Sequence, residues 1–327
     1  MKKNLLIRMD KIGDLVLTLP VDQVFDPEDQ TVWFITQGLE FFPENATPKR
    51  QFVSFKKQFS WSEFKRMVSE IKKINPDRSV VFHAPWWVGF AVWVACVPVR
   101  VGVLSKIHSF VFFNKGLRQK RSKAEKHEAH YGLELVEAAS QKKMDFKNLK
   151  PLQLNSTLPK IGLSQWEIQN IDYVVVHPGM AGSALNWPIS KYIEFIKEIS
   201  KTYTVVVTGG PSDKKYVDPI KEEYRNNNGV VFPEGSLKQL ALILSNAKGV
   251  LAPSTGVLHI AASLGVPSLG IYSPIGVERA IRWGPRGIKA DSLTPEIQNN
   301  NFNRKTVMDT LSVETVLNSF RKIMAKV

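Results

Sequence analysis

Between Gly249 and Pro274 the chain reads GVLAPSTGVLHIAASLGVPSLGIYSP, an apolar run, a tight turn, a short helix and a second apolar run in close succession. The first run ends at Ala252. Ser254 and Thr255 stand where a helix N-cap is required, and Gly265 followed by Pro267 stops the helix. This is the pattern of a compact βαβ unit, in which the strand's carboxyl end and the helix N-terminus meet at one edge of a parallel sheet. The first-turn N–H groups lack intrahelical partners there, and the helix dipole favours an anion. Gly256 leaves room for such a ligand. A buried βαβ unit with an ordinary Ser-Thr cap has the same pattern, so both readings stand from the segment alone.

The same alternation opens the chain. Leu5, Leu6 and Ile7 lie in a short apolar run, Asn4 to Met9, as expected of a strand buried on both faces. Asp10-Lys11-Ile12-Gly13-Asp14 follows, then periodic Leu15, Val16 and Leu19, halting at Pro20. Asp14 therefore sits in the first turn of a helix at a ligand-binding sheet edge, where it also complements the helix dipole. Further strands are expected over 31–36 and 79–83, with an amphipathic helix over 60–74 carrying Trp61, Phe64, Met67, Val68 and Ile71 on one face. Pro85 to Val97, PWWVGFAVWVACV, is the most apolar stretch. It is shorter than the roughly 20 residues of a membrane span, so it reads as a buried helix, with tryptophans at a membrane interface as the alternative. Asn114 to His130 reads as a basic loop leading into a helix over 131–139.

Composition turns polar from Ser140 to Glu167, which places the interdomain linker near Pro151 to Pro159. Strands then end at His177-Pro178-Gly179 and at Gly209-Gly210-Pro211-Ser212-Asp213, with a helix starting at Trp187 and another at Leu237. At 327 residues the chain fits two domains of ordinary size. The formal net charge of +14 suits nucleic acid, anionic lipid or phosphorylated substrates without choosing among them. Cys96, the single cysteine, excludes an internal disulfide and a multi-cysteine metal site. Arg8, Asp10, Lys11 and Asp14 interrupt the opening run, so no signal peptide is read and a cytoplasmic location is expected.

The segment Ser254-Thr255-Gly256 followed by His259-Ile260-Ala261-Ala262-Ser263-Leu264-Gly265-Val266-Pro267 resembles the sugar-nucleotide signature of the heptosyltransferases, glycosyltransferase family nine. IRMDKIGDLVLTLP resembles the amino-terminal motif of the same family. The resemblance implies an α/β chain of GT-B architecture, two Rossmann-like α/β/α domains facing a central cleft. Residues 1–155 would bind the acceptor and 156–312 the nucleotide sugar, with a last helix, 313–325, packing back on the first domain. It implies Asp14 as the catalytic base. His177, Gly179, Asp213, Ser254, Thr255, Gly256 and His259 would bind the donor, Asp213 through the ribose hydroxyls. Arg8, Lys11, Arg118, Lys120 and Arg121 would grip a phosphorylated, lipid-linked glycan acceptor at the anionic inner face of the cytoplasmic membrane.

The chemistry so implied is an inverting, metal-independent transfer of a heptose from ADP-heptose to a lipopolysaccharide core, with no cofactor. The sequence contains no D-x-D cluster with supporting ligands, no H-E-x-x-H, no G-x-G-x-x-G and no Walker A loop, which weakens metal-dependent transfer, dehydrogenase and NTPase readings. Nucleic acid is not an expected partner. Two departures from the family pattern stand out: Ser254 replaces a frequent aspartate, and Leu185 replaces a frequent lysine before Trp187. The diphosphate would then rest on backbone N–H groups of 179–183 and 254–256 and on at least one of Arg8, Lys11, Arg279, Arg282 and Arg286. The alternatives are the same fold acting on another nucleotide sugar or surface glycan, or a weakened sugar-nucleotide or nucleic-acid binder.

Overall fold

Twelve short strands form two six-stranded sheets in the computed structural model, which describes residues 1–155, 160–180, 182, 184–225, 229–297, 303–304 and 306–325. The first sheet contains β1 (Lys3–Arg8), β2 (Gln30–Thr36), β3 (Gln51–Phe55), β4 (Arg78–His83), β5 (Val99–Val103) and β6 (Lys115–Leu117). Their order is β3-β2-β1-β4-β5-β6, and every pairing is parallel. The second contains β7 (Tyr173–Val176), β8 (Thr204–Val207), β9 (Val230–Val231), β10 (Gly249–Pro253), β11 (Ser268–Ile271) and β12 (Ala290–Leu293), in the parallel order β12-β11-β10-β7-β8-β9. Each is a Rossmann-like unit. The chain divides into Met1–Arg121 with Lys126–Leu152, and Ser122–Glu125 with Gln153–Val327.

Continuous apolar strands follow from burial on both faces. In the first unit Leu5, Ile7, Val32 and Phe34 pack under the helices Trp61–Ile74 and Trp86–Val94. On the other face Trp33 stacks on Phe82 with ring centroids 5.7 Å apart, and Gly132 of the helix Glu128–Ser140 approaches Thr18, Val21 and Phe82. The helix over 61–74 begins where Ser60 accepts the N–H of Glu63 and ends at Asn75 in a left-handed conformation. The first helix, Ile12–Thr18, does not stop dead at Pro20. A 3₁₀ turn, Leu19–Val24, carries the chain on, because proline in the first turn gives up only an N–H that needs no helical partner.

Three expectations change. The stretch read as a basic loop, 114–130, contains β6, which pairs with β5, and a 3₁₀ turn at Arg121–Lys123. Few apolar residues mark so short an edge strand. The helix Trp86–Val94 is only half buried: Trp87 is enclosed, whereas Trp86 and Trp93 are exposed. Among the described residues no helix is long and apolar enough to cross a membrane. The interdomain linker was placed near 151–159, of which 156–159 lie outside the described residues.

The third change concerns the last helix, Val313–Met324, which packs within the second unit instead of returning to the first. Its stripe of Val316, Leu317, Phe320 and Ile323 joins Val174, Val176, Leu251 and Leu269 in one core, beside the helix Ile189–Ile199. Phe320 meets Phe195 edge-on at 5.4 Å. A Cβ on Gly249 would lie 2.8 Å from Met324, so the helix rests directly on the backbone of β10. The stripe needed an apolar partner, and periodicity alone says nothing about which sheet supplies it. Phe320→Ala should accordingly cost about 3–5 kcal/mol of second-unit stability, measured by urea unfolding followed through an amide probe in β10, with the probe in β1 unaffected.

Candidate functional site

In a parallel sheet every strand delivers its following loop to the same edge, and ligands collect where the strand order reverses. That reversal falls between β1 and β4 in the first sheet and between β7 and β10 in the second. Each reversal brings together loops singled out in the sequence. Met9 donates its N–H to the carbonyl of His83 at 2.9 Å, and His177 donates to the carbonyl of Leu251 at 2.9 Å.

At the first edge, Arg8 ends β1 with its guanidinium buried, 2% exposed. It pairs with Asp14, donates to Asp10 Oδ2 at 3.3 Å and reaches Glu128 Oε1 at 3.4 Å. Arg121 donates to the same Glu128 oxygen at 2.8 Å. Burial opposes the charge on Arg8, yet Asp14, Glu128 and Asp10 together raise its pKa. Asp14 is the mirror case. Burial raises its pKa; Arg8 pulls it back down, while Asp10 and Glu128 push it further up. The outcome is a carboxylate that binds a proton more readily than an exposed aspartate, oriented by a fixed cation.

The cations expected at the acceptor differ in their surroundings. Arg8 is enclosed among three carboxylates, and Arg121 is held by Glu128 and Gln119. Lys11, Arg118 and Lys120 are exposed. Lys11 is the N-cap residue of the helix that carries Asp14, and Arg118 lies over the Phe110 ring at 5.6 Å. Glu128, which joins this cluster, is not singled out by the sequence. Its helix begins three residues before the expected Tyr131, because His127 accepts the N–H of Ala129 and starts the first turn. An acid in a first turn was the available signal.

At the second edge, the helix Gly256–Ser263 starts from Thr255 in an extended conformation, without a side-chain bond from Thr255 to its first turn. Ser254 neighbours the Tyr272 hydroxyl, which donates to the carbonyl of Trp283 at 2.6 Å. The helix closes at Gly265, φ +75°, where Gly265 bonds back to Ala262 and Val266 to Ala261. Ser254, Thr255 and Gly256 are thus partly exposed at the edge, as an anion-binding loop requires.

His177, Gly179, Asp213 and His259 are buried. His177 Nδ1 is 2.9 Å from the Thr208 hydroxyl and its Nε2 is 3.9 Å from Asp213. Asp213 accepts the N–H of Gly210 at 2.9 Å and is buried. A Cβ on Gly179 would fall 2.2 Å from the Asp213 carboxyl carbon, so only glycine fits. His259 is buried within its helix. Sequence places these groups near a ligand edge but does not tell which way a side chain turns. Asn186 ties this loop to the following helix, donating to the carbonyl of Pro178 at 2.7 Å and accepting from Tyr192 at 3.1 Å.

Leu185 packs against the second core, and its N–H donates to Glu278 at 3.0 Å. Of the cations expected near it, Arg279 is bonded to the carbonyls of Gly276, Lys123 and Ala124, Arg282 lies over the Trp283 ring, and burial takes the Arg286 pKa down to about 10. In the loop expected to offer backbone N–H groups, 179–183, positions 181 and 183 lie outside the described residues. Among the described residues no group of three or more His, Cys, Asp and Glu side chains could hold a metal ion.

Comparison with known proteins gives this arrangement its relatives. The family profile of glycosyltransferase family 9 (heptosyltransferase) matches residues 67–311. The Asp14 loop lies outside that span. A Haemophilus influenzae protein described as a glycosyltransferase is 28% identical over 310 residues, covering 87% of this chain and 86% of its own. A family 9 glycosyltransferase from Veillonella parvula superposes with a TM-score of 0.82 at 18% identity, covering 100% of this chain and 98% of that one. The ADP-heptose lipopolysaccharide heptosyltransferase II of E. coli gives 0.79 at 17% identity, covering 99% and 98%. The fold is that of the GT-B glycosyltransferases.

His177 generates a prediction about pH. Burial lowers its pKa to about 4 despite the nearby Asp213, whereas an unfolded histidine titrates near 6.5. Between these values the unfolded chain binds the extra proton, so stability is full above about pH 6.5 and falls as pH drops toward about 4. His177→Asn, which can still bond Thr208, should flatten that fall by on the order of 2 kcal/mol at pH 5 relative to pH 7, read as the difference between urea unfolding curves of the two proteins.

Proposed function

The chain belongs to glycosyltransferase family 9, and from that premise we propose that it moves a heptose from ADP-heptose to a lipopolysaccharide core at the inner face of the cytoplasmic membrane. The donor is suggested by the E. coli relative, whose name carries ADP-heptose. The observation that carries the reading is Asp14: a carboxylate with a raised pKa at the reversal point of the first sheet, aimed by a buried arginine. The acceptor hydroxyl gives its proton to the Asp14 carboxylate as its oxygen attacks the anomeric carbon. The bond from that carbon to the diphosphate breaks through an oxocarbenium-like transition state, inverting the configuration and releasing ADP.

The second domain takes the donor. Negative charge growing on the departing diphosphate is met by the open helix N-terminus at Thr255 and Gly256, and Ser254 adds a hydroxyl where a carboxylate would repel. His177, Gly179 and Asp213 act beneath this surface as positioning residues that set the loop after β7. Lys11, Arg118 and Lys120 remain available to acceptor phosphates.

A second reading, the same chemistry with another nucleotide sugar, is favoured by one observation. Where family members frequently carry a lysine, Leu185 packs inward and its N–H meets the carboxylate of Glu278. Calorimetric titration with ADP, UDP and GDP separates the two, the first reading expecting ADP alone to bind tightly.

Asp14→Asn keeps size but removes proton acceptance. Turnover should fall by about 10²-fold or more, while ADP affinity stays within about a few-fold. In the unaltered protein the acidic limb of kcat/KM against pH should lie above the ordinary carboxylate range, because Asp14 must be deprotonated and burial raises its pKa. Near-normal turnover by Asp14→Asn would reduce Asp14 to a helix-dipole residue.

A further inference from the structure

The first domain exposes more aromatic surface than its own core needs. Along the helix Trp86–Val94, Trp87 is enclosed while Trp86 and Trp93 face outward. They belong to a continuous run of rings: Trp61 to Phe59 at 5.3 Å, Phe59 to Trp86 at 5.7 Å, Trp86 to Phe90 at 6.4 Å and Phe90 to Trp93 at 5.9 Å. Phe112 continues it, 6.4 Å from Trp93. Phe112 ends the short helix Ile107–Phe112, which lies against Trp86–Val94 and turns Ile107, 90% exposed, and Phe110 outward. A folded chain gains by burying such groups, and here they stay in water together.

Charge decides what covers them. From Ala84 to Arg121 the sequence has no aspartate or glutamate and six cations, Arg100, Lys106, Lys115, Arg118, Lys120 and Arg121. Lys106 adjoins Ile107 at the start of the short helix, and exposed Lys56 and Lys65 flank the Phe59 and Trp61 end. The core of a protein interface is poor in lysine. Tryptophan beside lysine is instead the composition of a surface that enters the headgroup region of an anionic bilayer, where the rings partition and each nearby cation adds attraction.

We propose that this face of the first domain docks on an anionic phospholipid surface, with Trp61, Trp86, Trp93 and Ile107 entering the headgroup region and Lys56, Lys65, Lys106 and Lys115 pairing with lipid phosphates. It deepens the proposed function by giving the membrane a place on the molecule. The docking itself requires no transferase activity.

The test uses the full chain, vesicles of phosphatidylglycerol and phosphatidylcholine, and vesicles of phosphatidylcholine alone. Co-sedimentation reads binding, and quenching of tryptophan emission by brominated lipid reads insertion. One variant combines Trp61→Ser, Trp86→Ser, Trp93→Ser and Ile107→Ser; the other combines Lys56→Glu, Lys65→Glu and Lys106→Glu. The unaltered protein should bind the anionic vesicles, be quenched there, and weaken as salt rises. Each variant should lose about tenfold or more in apparent affinity, with an unchanged melting temperature and ADP affinity. Absence of binding by the unaltered protein, or equal binding by the charge-reversed variant, overturns the proposal. Self-association abolished by the serine variant, without vesicle binding, would assign the face to a second copy of the chain. Loss of ADP binding by the unaltered protein would sink the donor assignment and leave the docking result intact.

Discussion

A sheet whose strands all run one way imposes more on this protein than any single contact. Each strand must be followed by a crossover that returns the chain to the starting edge, so helices cover both faces and the strands become apolar throughout. Polar function is thereby expelled to one edge. There, only the place where strand order reverses is free of a crossing connection. Both sheets obey this rule, with Arg8 to Asp14 at one reversal and His177 opposite Ser254 at the other. The residues at those two places could be polar because the rest of each sheet could not.

The price of a polar edge is visible at Arg8. A guanidinium taken out of water is costly unless carboxylates surround it, and three do. Five side chains, those of Arg8, Arg121, Asp10, Asp14 and Glu128, form one network in which each fixes the next. Such networks are weak sources of stability, but they hold geometry well, since any displacement leaves a buried charge unpaired. Asp14 inherits that rigidity.

The fold was legible where the pattern is local. Short apolar runs such as Leu5 to Ile7 and Val174 to Val176, bounded by polar loops, read as buried strands, and Gly265 marks its helix end, where φ is left-handed. Asp14 was legible because loop, helix start and sheet edge are consecutive in sequence. Glu128 was not, since it reaches Arg8 from 120 positions away and its helix starts on a histidine cap that has no strong signature. Arg8 reads as a surface cation until its neighbours are known. That Asp213 lies against Gly179 is not legible in the sequence. The last helix shows its stripe plainly but not its partner. In each case the missing information is long-range: which polar group another element brings within reach.

The contact between Gly249 and Met324 bears on how the chain comes to be folded at all. All the strands of the first sheet, and the helix Glu128–Ser140 that closes one of its faces, have been synthesised by Ser140. That half can assemble while the rest is still being made. The second sheet cannot. Strands β10 and β11 keep one face partly bare until the helix Val313–Met324 arrives. During that interval Leu251, Leu269 and Ile271 lack part of the cover they have in the finished core. The loop at Ser254, which follows β10, therefore waits on the last helix for its support, and a ribosome stalled before residue 313 would release a chain with one finished domain and one adhesive one.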